Sequence, residues 1–104
     1  MYGEPPYTPD AEAEEAPPWR EDFGLPGPDV LVYPPGQQPT LWVYTQGGWK
    51  RAHVHARQTY RDRTYAGRVA YQVELQLTGE DGIIGTYARS YWWGQPAVAA
   101  QVWA

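Results

Sequence analysis

The sequence contains no cysteine, which excludes a disulfide framework and a cysteine-ligated zinc site. No apolar run approaches the roughly 18 residues that a transmembrane helix needs. The first residues lack the basic stretch and the following apolar stretch of a secretory signal. We therefore expect a cytoplasmic protein that is not inserted in a membrane and whose fold depends on packing alone.

Catalytic signatures are absent as well. The sequence has no nucleophile elbow, no glycine-rich phosphate loop and no pair of carboxylates in an apolar setting. His53 and His55 have a spacing that can chelate a metal from one strand face, but zinc needs three or four ligands and the chain has no third histidine. We predict a protein that is not an enzyme and that has no catalytic residues, no metal and no cofactor.

Proline and acidic residues are concentrated in residues 1–39. This part contains ten of the eleven prolines, and its eight acids and one arginine give a formal charge of −7. Residues 40–104 carry seven bases and four acids, a charge of +3, which brings the whole chain to −4. Residues 1–29 also have too few aliphatic side chains to offset the entropy lost on ordering. We predict that residues 1–39 form a disordered, acidic, proline-rich arm, in which residues 30–33 either add an edge strand or lie across the domain.

From Thr40 onward, apolar and polar residues alternate with the period of two that β-strands produce. The strands predicted from this pattern are 41–45, 49–60, 69–77, 83–93 and 97–103. Within them, Ala70 is predicted to face outward, and the side chains predicted to face the interior are Val54, Val69, Tyr71, Val73, Leu75 and Leu77. Five short strands are typical of a small closed or nearly closed barrel, and we assign residues 40–104 to such an all-β domain.

Two segments carry a resemblance to a known class of barrel. Residues 48–54, Gly-Trp-Lys-Arg-Ala-His-Val, and residues 71–75, Tyr-Gln-Val-Glu-Leu, resemble the second and third strands of Tudor-like members of the Src-homology-3-like barrels. In that pattern a tryptophan precedes a small residue and a valine, and a later strand returns with alternating apolar residues. The resemblance covers about residues 40–95 and implies a five-stranded Src-homology-3-like barrel.

The Tudor resemblance also raises the question of a ligand. Tudor domains hold a methylated lysine or arginine in an aromatic cage. Trp42 or Tyr44 matches the first wall of such a cage, whereas Leu75 and Leu77 stand where the third strand often supplies another aromatic residue. The resemblance therefore implies the fold and leaves the cage incomplete.

A cluster of aromatic residues is the first candidate site. Tyr91, Trp92 and Trp93 follow one another in a predicted strand, and consecutive strand residues face opposite sides of a sheet. At least one of these rings must therefore reach the surface, where it can bind a partner protein unless the arm or residues 30–33 cover it. The predicted partner-binding residues are Trp49, Tyr91, Trp92 and Trp93.

A basic stretch is the second candidate site. Residues 50–68 contain six lysine or arginine residues, two histidines and one acid, Asp62. Alternation predicts that one face of the second strand, the outward face, carries Arg51, His53, His55 and Arg57. These residues can follow a phosphate backbone there; the alternative is an ordinary solvated surface. The residues predicted to contact nucleic acid are Lys50, Arg51, His53, His55, Arg57, Arg61 and Arg63.

These observations favour a non-enzymatic protein-interaction module or adaptor. In this hypothesis the domain binds another protein through an exposed aromatic surface. The alternative is a small nucleic-acid-binding barrel that uses the arginine-rich strand face and is modulated by the acidic arm. Salt dependence separates the two hypotheses, because binding to phosphates weakens steeply as salt rises.

Overall fold

The computed structural model describes residues 5, 7–17, 27–61 and 65–100. This part of the chain contains strands and no helix, which confirms the predicted all-β class. It accordingly has no helix that is long and apolar enough to cross a membrane. The strands are β1 (Asp29–Val32), β2 (Thr40–Thr45), β3 (Gly48–Thr59), β4 (Val69–Thr78), β5 (Ile84–Trp92) and β6 (Val98–Ala100).

The strands form one antiparallel sheet in the order β5-β4-β3-β2-β6. β1 lies outside this order and pairs with the second half of β3, whereas β2 pairs with the first half. The sheet thus has six strands, because the apolar run near residues 30–33 forms β1. Among the described strands, β5 and β6 do not pair with each other, so the strands form an open sheet rather than the closed five-stranded barrel that the sequence predicts.

β2 and β3 are joined by a tight hairpin at Gln46 and Gly47. These residues have positive φ angles of 52° and 76°, the combination that a type I′ turn requires. The Gln46 side chain ties this turn to the end of β4. Its Nε2 donates to the Thr78 carbonyl at 2.8 Å, and its Oε1 accepts from the Thr78 N–H at 2.8 Å.

The main core lies on one face of the sheet. Its buried members are Leu41, Val43, Ala52, Val54, Val73, Leu75, Leu77, Tyr91 and Val98. β4 supplies Val73, Leu75 and Leu77 to this core, as its alternation predicts. Val69 and Tyr71, which precede them on the same face, are only half-buried. The interior of the domain is therefore built mainly by aliphatic side chains from the central strands.

A β-bulge at His55 interrupts β3. Val54 pairs with Val73, but the next pair is Ala56 with Gln72, so β3 has one residue more than β4 over this stretch. An extra residue of this kind shifts the alternation of side chains by one position. The residues of β3 after the bulge therefore lie on the face opposite to the one that they would occupy in a regular strand.

Because of the bulge, the basic residues of β3 do not all lie on the predicted outward face. His53 pairs with Glu74 and lies on the outward face, which Arg51 shares because it is two residues earlier on the strand. Arg57 instead pairs with Tyr71, which is on the same face of β4 as the main core. The prediction that the basic residues of β3 share one face is therefore wrong at Arg57.

A second, smaller core covers the outward face where β4 begins and β5 ends. Its members are Ala16, Tyr60, Ala70 and Trp92, with Tyr65 packed against them. The ring centres of Tyr60 and Trp92 are 5.1 Å apart, and the Arg68 guanidinium lies 4.0 Å from the centre of the Trp92 ring. Ala70 is fully buried here, although its position in the alternation predicts an outward-facing residue. Ala70 does lie on the outward face, but the second core covers this part of that face.

Residues 7–17 lie along the gap between β2 and β5. On the β5 side, the Ala16 N–H donates to the Ser90 carbonyl at 2.9 Å, and the Trp92 N–H donates to the Glu14 carbonyl at 3.4 Å. These two bonds give an antiparallel pairing with β5. We term residues 13–16 the seam segment, because they occupy the open side of the sheet.

The other edge of the seam segment contacts β2. The Ala13 N–H donates to the Tyr44 carbonyl at 2.8 Å. Ala13 packs against the main core, and Ala16 belongs to the second core on the other face. The seam segment therefore alternates between the two faces as a strand does, and it connects the edge strand β5 to the end of β2, beyond the pairing of β2 with β6.

This arrangement differs from the predicted disordered arm over residues 7–17. The prediction rested on composition, which registers the acids and prolines but not backbone hydrogen bonds to distant strands. Here those bonds and two small apolar side chains offset the entropy lost on ordering. Residues 1–4, 6 and 18–26 of the predicted arm lie outside the described residues.

Candidate functional site

A groove of about 680 Å³ crosses the outward face of the sheet and is formed by β2, β3, β4 and β5. Its lining residues are Trp42, Trp49, Lys50, Arg51, His53, Glu74, Leu75, Gln76 and Thr86. We term it the outer groove. It brings together one residue of the predicted aromatic site, Trp49, and three of the predicted basic site.

The strand register explains this meeting of aromatic and basic side chains. Arg51 on β3 lies opposite Trp42 on β2, and His53 lies between Thr40 on β2 and Glu74 on β4. Directly opposed residues of antiparallel strands share a face, with Cβ atoms about 4.5–5.5 Å apart. Two neighbouring rows of side chains thus place a tryptophan, an arginine, a histidine and a carboxylate on one surface.

Trp42 forms the base of the outer groove. It is only 7% exposed, whereas Arg51 beside it is exposed. The indole N–H of Trp42 is buried without a hydrogen-bond partner in the described part of the chain. Leaving a buried donor without an acceptor costs about 1–3 kcal/mol. Trp42 therefore gives the groove an apolar ring surface together with a buried N–H group that has no acceptor in the described part of the chain.

Trp49 forms one rim of the outer groove and is held from two sides. Tyr44 packs edge-on at a ring-centre distance of 5.4 Å, and Tyr7 of the arm packs edge-on at 5.8 Å. The Trp49 indole N–H donates to the Tyr7 carbonyl at 3.1 Å, and the Tyr7 hydroxyl donates to the Pro96 carbonyl at 3.0 Å. The arm therefore contributes to one wall of the groove by fixing the Trp49 ring.

Glu74, the one carboxylate of the outer groove, faces His55. Their Nε2 and Oε2 atoms are 3.3 Å apart, and the other ring nitrogen of His55 lies 3.0 Å from Gln38 Nε2. The first contact is within ion-pair distance but lacks hydrogen-bond geometry, so we treat it as electrostatic. The described residues contain no group of three or more histidine or acidic side chains arranged to hold a metal.

The predicted aromatic surface is smaller than the sequence indicates. Tyr91 belongs to the main core and Trp92 to the second core, at 3% and 2% exposure, so neither ring is accessible to a partner. The reason is that both faces of β5 are covered at this end. Trp93 is 41% exposed and packs edge-on against Tyr71 at a ring-centre distance of 5.6 Å. Only Trp93 of this triplet remains a surface residue.

Arg57 and Arg61, two other predicted basic residues, do not line the outer groove. Arg61 donates to the Gly27 carbonyl at 3.2 Å and lies 3.5 Å from the Asp29 carboxylate. Arg57 is exposed but on the opposite face of β3. Arg63 lies outside the described residues. The basic stretch of the sequence is therefore divided in space rather than continuous.

The site residues predicted from the sequence include four of the nine lining residues of the outer groove. Sequence reasoning singled out Trp49, Lys50, Arg51 and His53, but assigned them to two separate sites. It did not find that Trp42 lies beside Arg51, because that contact depends on the register of β2 against β3. The outward positions of β4 carried a usable signal, since their alternation places polar side chains on the groove side.

Comparison of the chain with protein-family models, with curated proteins and with solved structures gave no match.

Proposed function

We propose that this chain is a non-enzymatic protein-interaction module that binds an acidic segment of a partner protein in the outer groove. The observation that carries the proposal is the meeting of Trp49 with Lys50, Arg51 and His53 along one groove. Aromatic residues and arginine are enriched at protein interfaces, and tryptophan and arginine are frequent binding hot spots.

The charges of the outer groove favour an acidic partner. The lining has two basic side chains, Lys50 and Arg51, and one carboxylate, Glu74, so its lysine, arginine and acidic residues sum to a formal charge of +1. A partner carboxylate near Arg51 can accept charge-assisted hydrogen bonds, which are about twice as strong as neutral ones. The partner's apolar atoms can lie over the indole of Trp42.

We propose a Src-homology-3-like small barrel as the framework of this module, acting in the cytoplasm as the sequence predicts. The hydrogen bonds from the seam segment support a barrel, because they connect the edge strand β5 to the end of β2, beyond the pairing of β2 with β6. The long, bulged β3 supports it as well, since it pairs with three other strands and bends the sheet.

The nucleic-acid alternative has less support. Following a phosphate backbone requires a continuous basic surface. The bulge places Arg57 on the face opposite Arg51, and the Arg68 guanidinium lies over the Trp92 ring. Binding of nucleic acid is therefore the competing outcome of the experiment below.

The experiment compares two charge reversals on one strand, Arg51→Glu in the outer groove and Arg57→Glu on the opposite face. One probe is a fluorescent peptide of alternating glutamate and tyrosine, and the other is a single-stranded oligonucleotide of equal charge. We expect the peptide to bind the wild-type chain and Arg57→Glu equally and to bind Arg51→Glu at least tenfold more weakly. Equal losses in both variants, or binding of the oligonucleotide alone, would contradict the proposal.

A further inference from the structure

The space between β2 and β5 has the properties of a strand-binding site. It presents backbone groups on two sides, the Ser90 carbonyl and Trp92 N–H on β5 and the Tyr44 carbonyl on β2. Peptides that add to a sheet edge gain affinity from main-chain bonds of this kind and specificity from pockets for alternate side chains. We term this space the strand slot; in the structure the seam segment fills it.

The strand slot selects small side chains at two positions. Ala16 is 5% exposed and lies among Tyr60, Ala70 and Trp92. Ala13 packs against the main core on the other face. A long charged side chain at position 16 would have to displace these packed side chains and would lose its hydration, both of which are unfavourable.

The surroundings of the strand slot select acidic side chains at other positions. The Glu12 carboxylate accepts a hydrogen bond from the Gly47 N–H at 2.9 Å, at the tip of the β2–β3 hairpin. The Glu15 carboxylate lies 3.5 Å from Arg89 Nε on β5. The segment that fits is therefore extended, with acids at positions 12 and 15 and small residues at positions 13 and 16, as in residues 12–16 of this chain.

Gln95 fixes the position of the segment along the strand slot. Its Oε1 accepts from the Glu14 N–H at 2.7 Å, and its Nε2 donates to the Glu14 carbonyl at 2.9 Å. The same Nε2 also donates to the Trp92 carbonyl at 2.8 Å, which holds the amide in place. A side chain that binds both backbone groups of one residue recognises a strand regardless of the molecule that supplies it.

Pro17 and Gly27 are held by two residues that are neighbours in the sequence. The Pro17 carbonyl accepts from the Tyr60 hydroxyl at 3.2 Å, and the Gly27 carbonyl accepts from Arg61 at 3.2 Å. Removing residues 7–17 from the slot breaks none of the pairings among β1–β6. An identical segment from a second chain offers the same contacts, and exchange of identical elements is a low-cost route to a dimer.

We propose that the strand slot binds residues 7–17 of a second copy of this chain, so that two copies exchange these segments. In the exchanged dimer, the partner subunit's Tyr7 packs against Trp49 as Tyr7 does within one chain. Each outer groove is then completed by the other chain. A segment on a short link has an effective concentration in the millimolar range, so exchange becomes populated when the chain's own segment is released or when chains refold at high concentration.

The test uses the full chain with Ala16→Glu, which keeps its own segment out of the strand slot. The probe is a fluorescent peptide of residues 7–17, measured by anisotropy. We expect it to bind the Ala16→Glu chain at least tenfold more tightly than the wild-type chain, whose slot is filled. The matched control is Ala11→Glu, because Ala11 is an exposed residue of the same segment; this chain should behave like wild type. A peptide that itself carries Ala16→Glu should not bind.

A second measurement identifies the source of the segment as another copy. Chains are refolded at about 1 mM, in the range of the effective concentration, and separated by size-exclusion chromatography with light scattering. Wild type and Ala11→Glu should give a dimer fraction, and Ala16→Glu should give none. A folded Ala16→Glu chain that does not bind the peptide, or one that dimerises as wild type does, overturns the proposal.

A third variant keeps the proposal testable if Ala16→Glu does not fold. A protease site is inserted between Pro17 and Gly27, and the full chain is cut after folding. We expect the cut segment to remain bound and then to exchange with the labelled peptide of residues 7–17. Loss of the cut segment without uptake of the labelled peptide shows that the strand slot does not bind it in trans, and overturns the proposal.

Discussion

Arg51 and Arg57 lie on opposite faces of β3, although they are six positions apart, an even spacing that puts two residues of a regular strand on the same face. Arg51 lies opposite Trp42 on the outward face, whereas Arg57 pairs with Tyr71 on the face of the main core. The bulge at His55 causes the change, because one extra residue reverses the alternation of all residues after it. The positive charge of β3 is thereby divided, and only its first half contributes to the outer groove.

Trp92 and Trp93 should differ sharply in their contribution to stability. Trp92 is 2% exposed and Trp93 is 41% exposed. We expect Trp92→Ala to lower the free energy of unfolding by about 3–5 kcal/mol, because it removes a buried ring and leaves a cavity. Trp93→Ala removes a partly exposed ring and its edge contact with Tyr71, and should cost about 1 kcal/mol. Urea unfolding measures both values. If Trp93→Ala proved more destabilising than Trp92→Ala, Trp93 rather than Trp92 would be the buried ring.

The register of β4 can be tested with two neighbouring residues. Val73 is fully buried in the main core, and Gln72 is exposed on the other face. Val73→Ala should lower the free energy of unfolding by about 1–3 kcal/mol through lost burial and a residual cavity. Gln72→Ala should change it by less than about 0.5 kcal/mol. Thermal unfolding that shows Gln72→Ala to be the more damaging change would mean that the strand is shifted by one residue.

The contrast between β4 and β3 shows which parts of the fold the sequence predicts. β4 is regular, so the alternation of Val73, Leu75 and Leu77 identifies its buried face directly. β3 also alternates in sequence, but nothing in its local pattern marks His55 as an extra residue. The bulge depends on how β3 pairs with β4, which is a property of two strands together. The division of the basic residues could therefore not be predicted from β3 alone.

The arm shows that amino-acid composition alone does not predict whether a segment is ordered. Its acids and prolines are typical of a disordered segment, yet residues 13–16 lie between two strands. The decisive features are small: Ala13 and Ala16 fit where larger side chains would not, and the backbone finds donors and acceptors on both sides. Those partners are distant in sequence, so a prediction made from a local window does not include them.

Docking of the arm should depend on the ionisation of Glu12. Hydrogen bonds from the Gly47 and Gln46 backbone lower the pKa of Glu12 below its ordinary value of 4.5. A lowered pKa means that the ionised carboxylate stabilises the docked arm; this contribution is present above pH 4.5 and is lost as the pH falls through the lowered pKa. The Gly47 amide resonance, followed by nuclear magnetic resonance, should therefore titrate with a midpoint below pH 4.5.

The matched variants for this titration are Glu12→Gln and Glu14→Gln. Glu12→Gln removes the charge that accepts from Gly47 and should abolish the change in the Gly47 resonance. Glu14 contacts Gln95 through its backbone, so Glu14→Gln should leave that change in place. Persistence of the titration in Glu12→Gln would assign it to another carboxylate.

Tyr91 should ionise well above the ordinary pH range of a tyrosine. Burial raises the pKa of Tyr91 to about 12 from an ordinary value of 10, and the nearby Glu15 carboxylate acts in the same direction. A raised pKa means that the folded state favours the neutral phenol. This contribution to stability is complete below pH 10 and is lost as the pH rises through about 12. Tyr91 should therefore ionise in a late step of a titration followed by ultraviolet absorbance. Tyr91→Phe should remove that step. The control Tyr7→Phe, at a residue that is 48% exposed, should retain it. A late step that survives in Tyr91→Phe would show that a different phenol is the one held neutral.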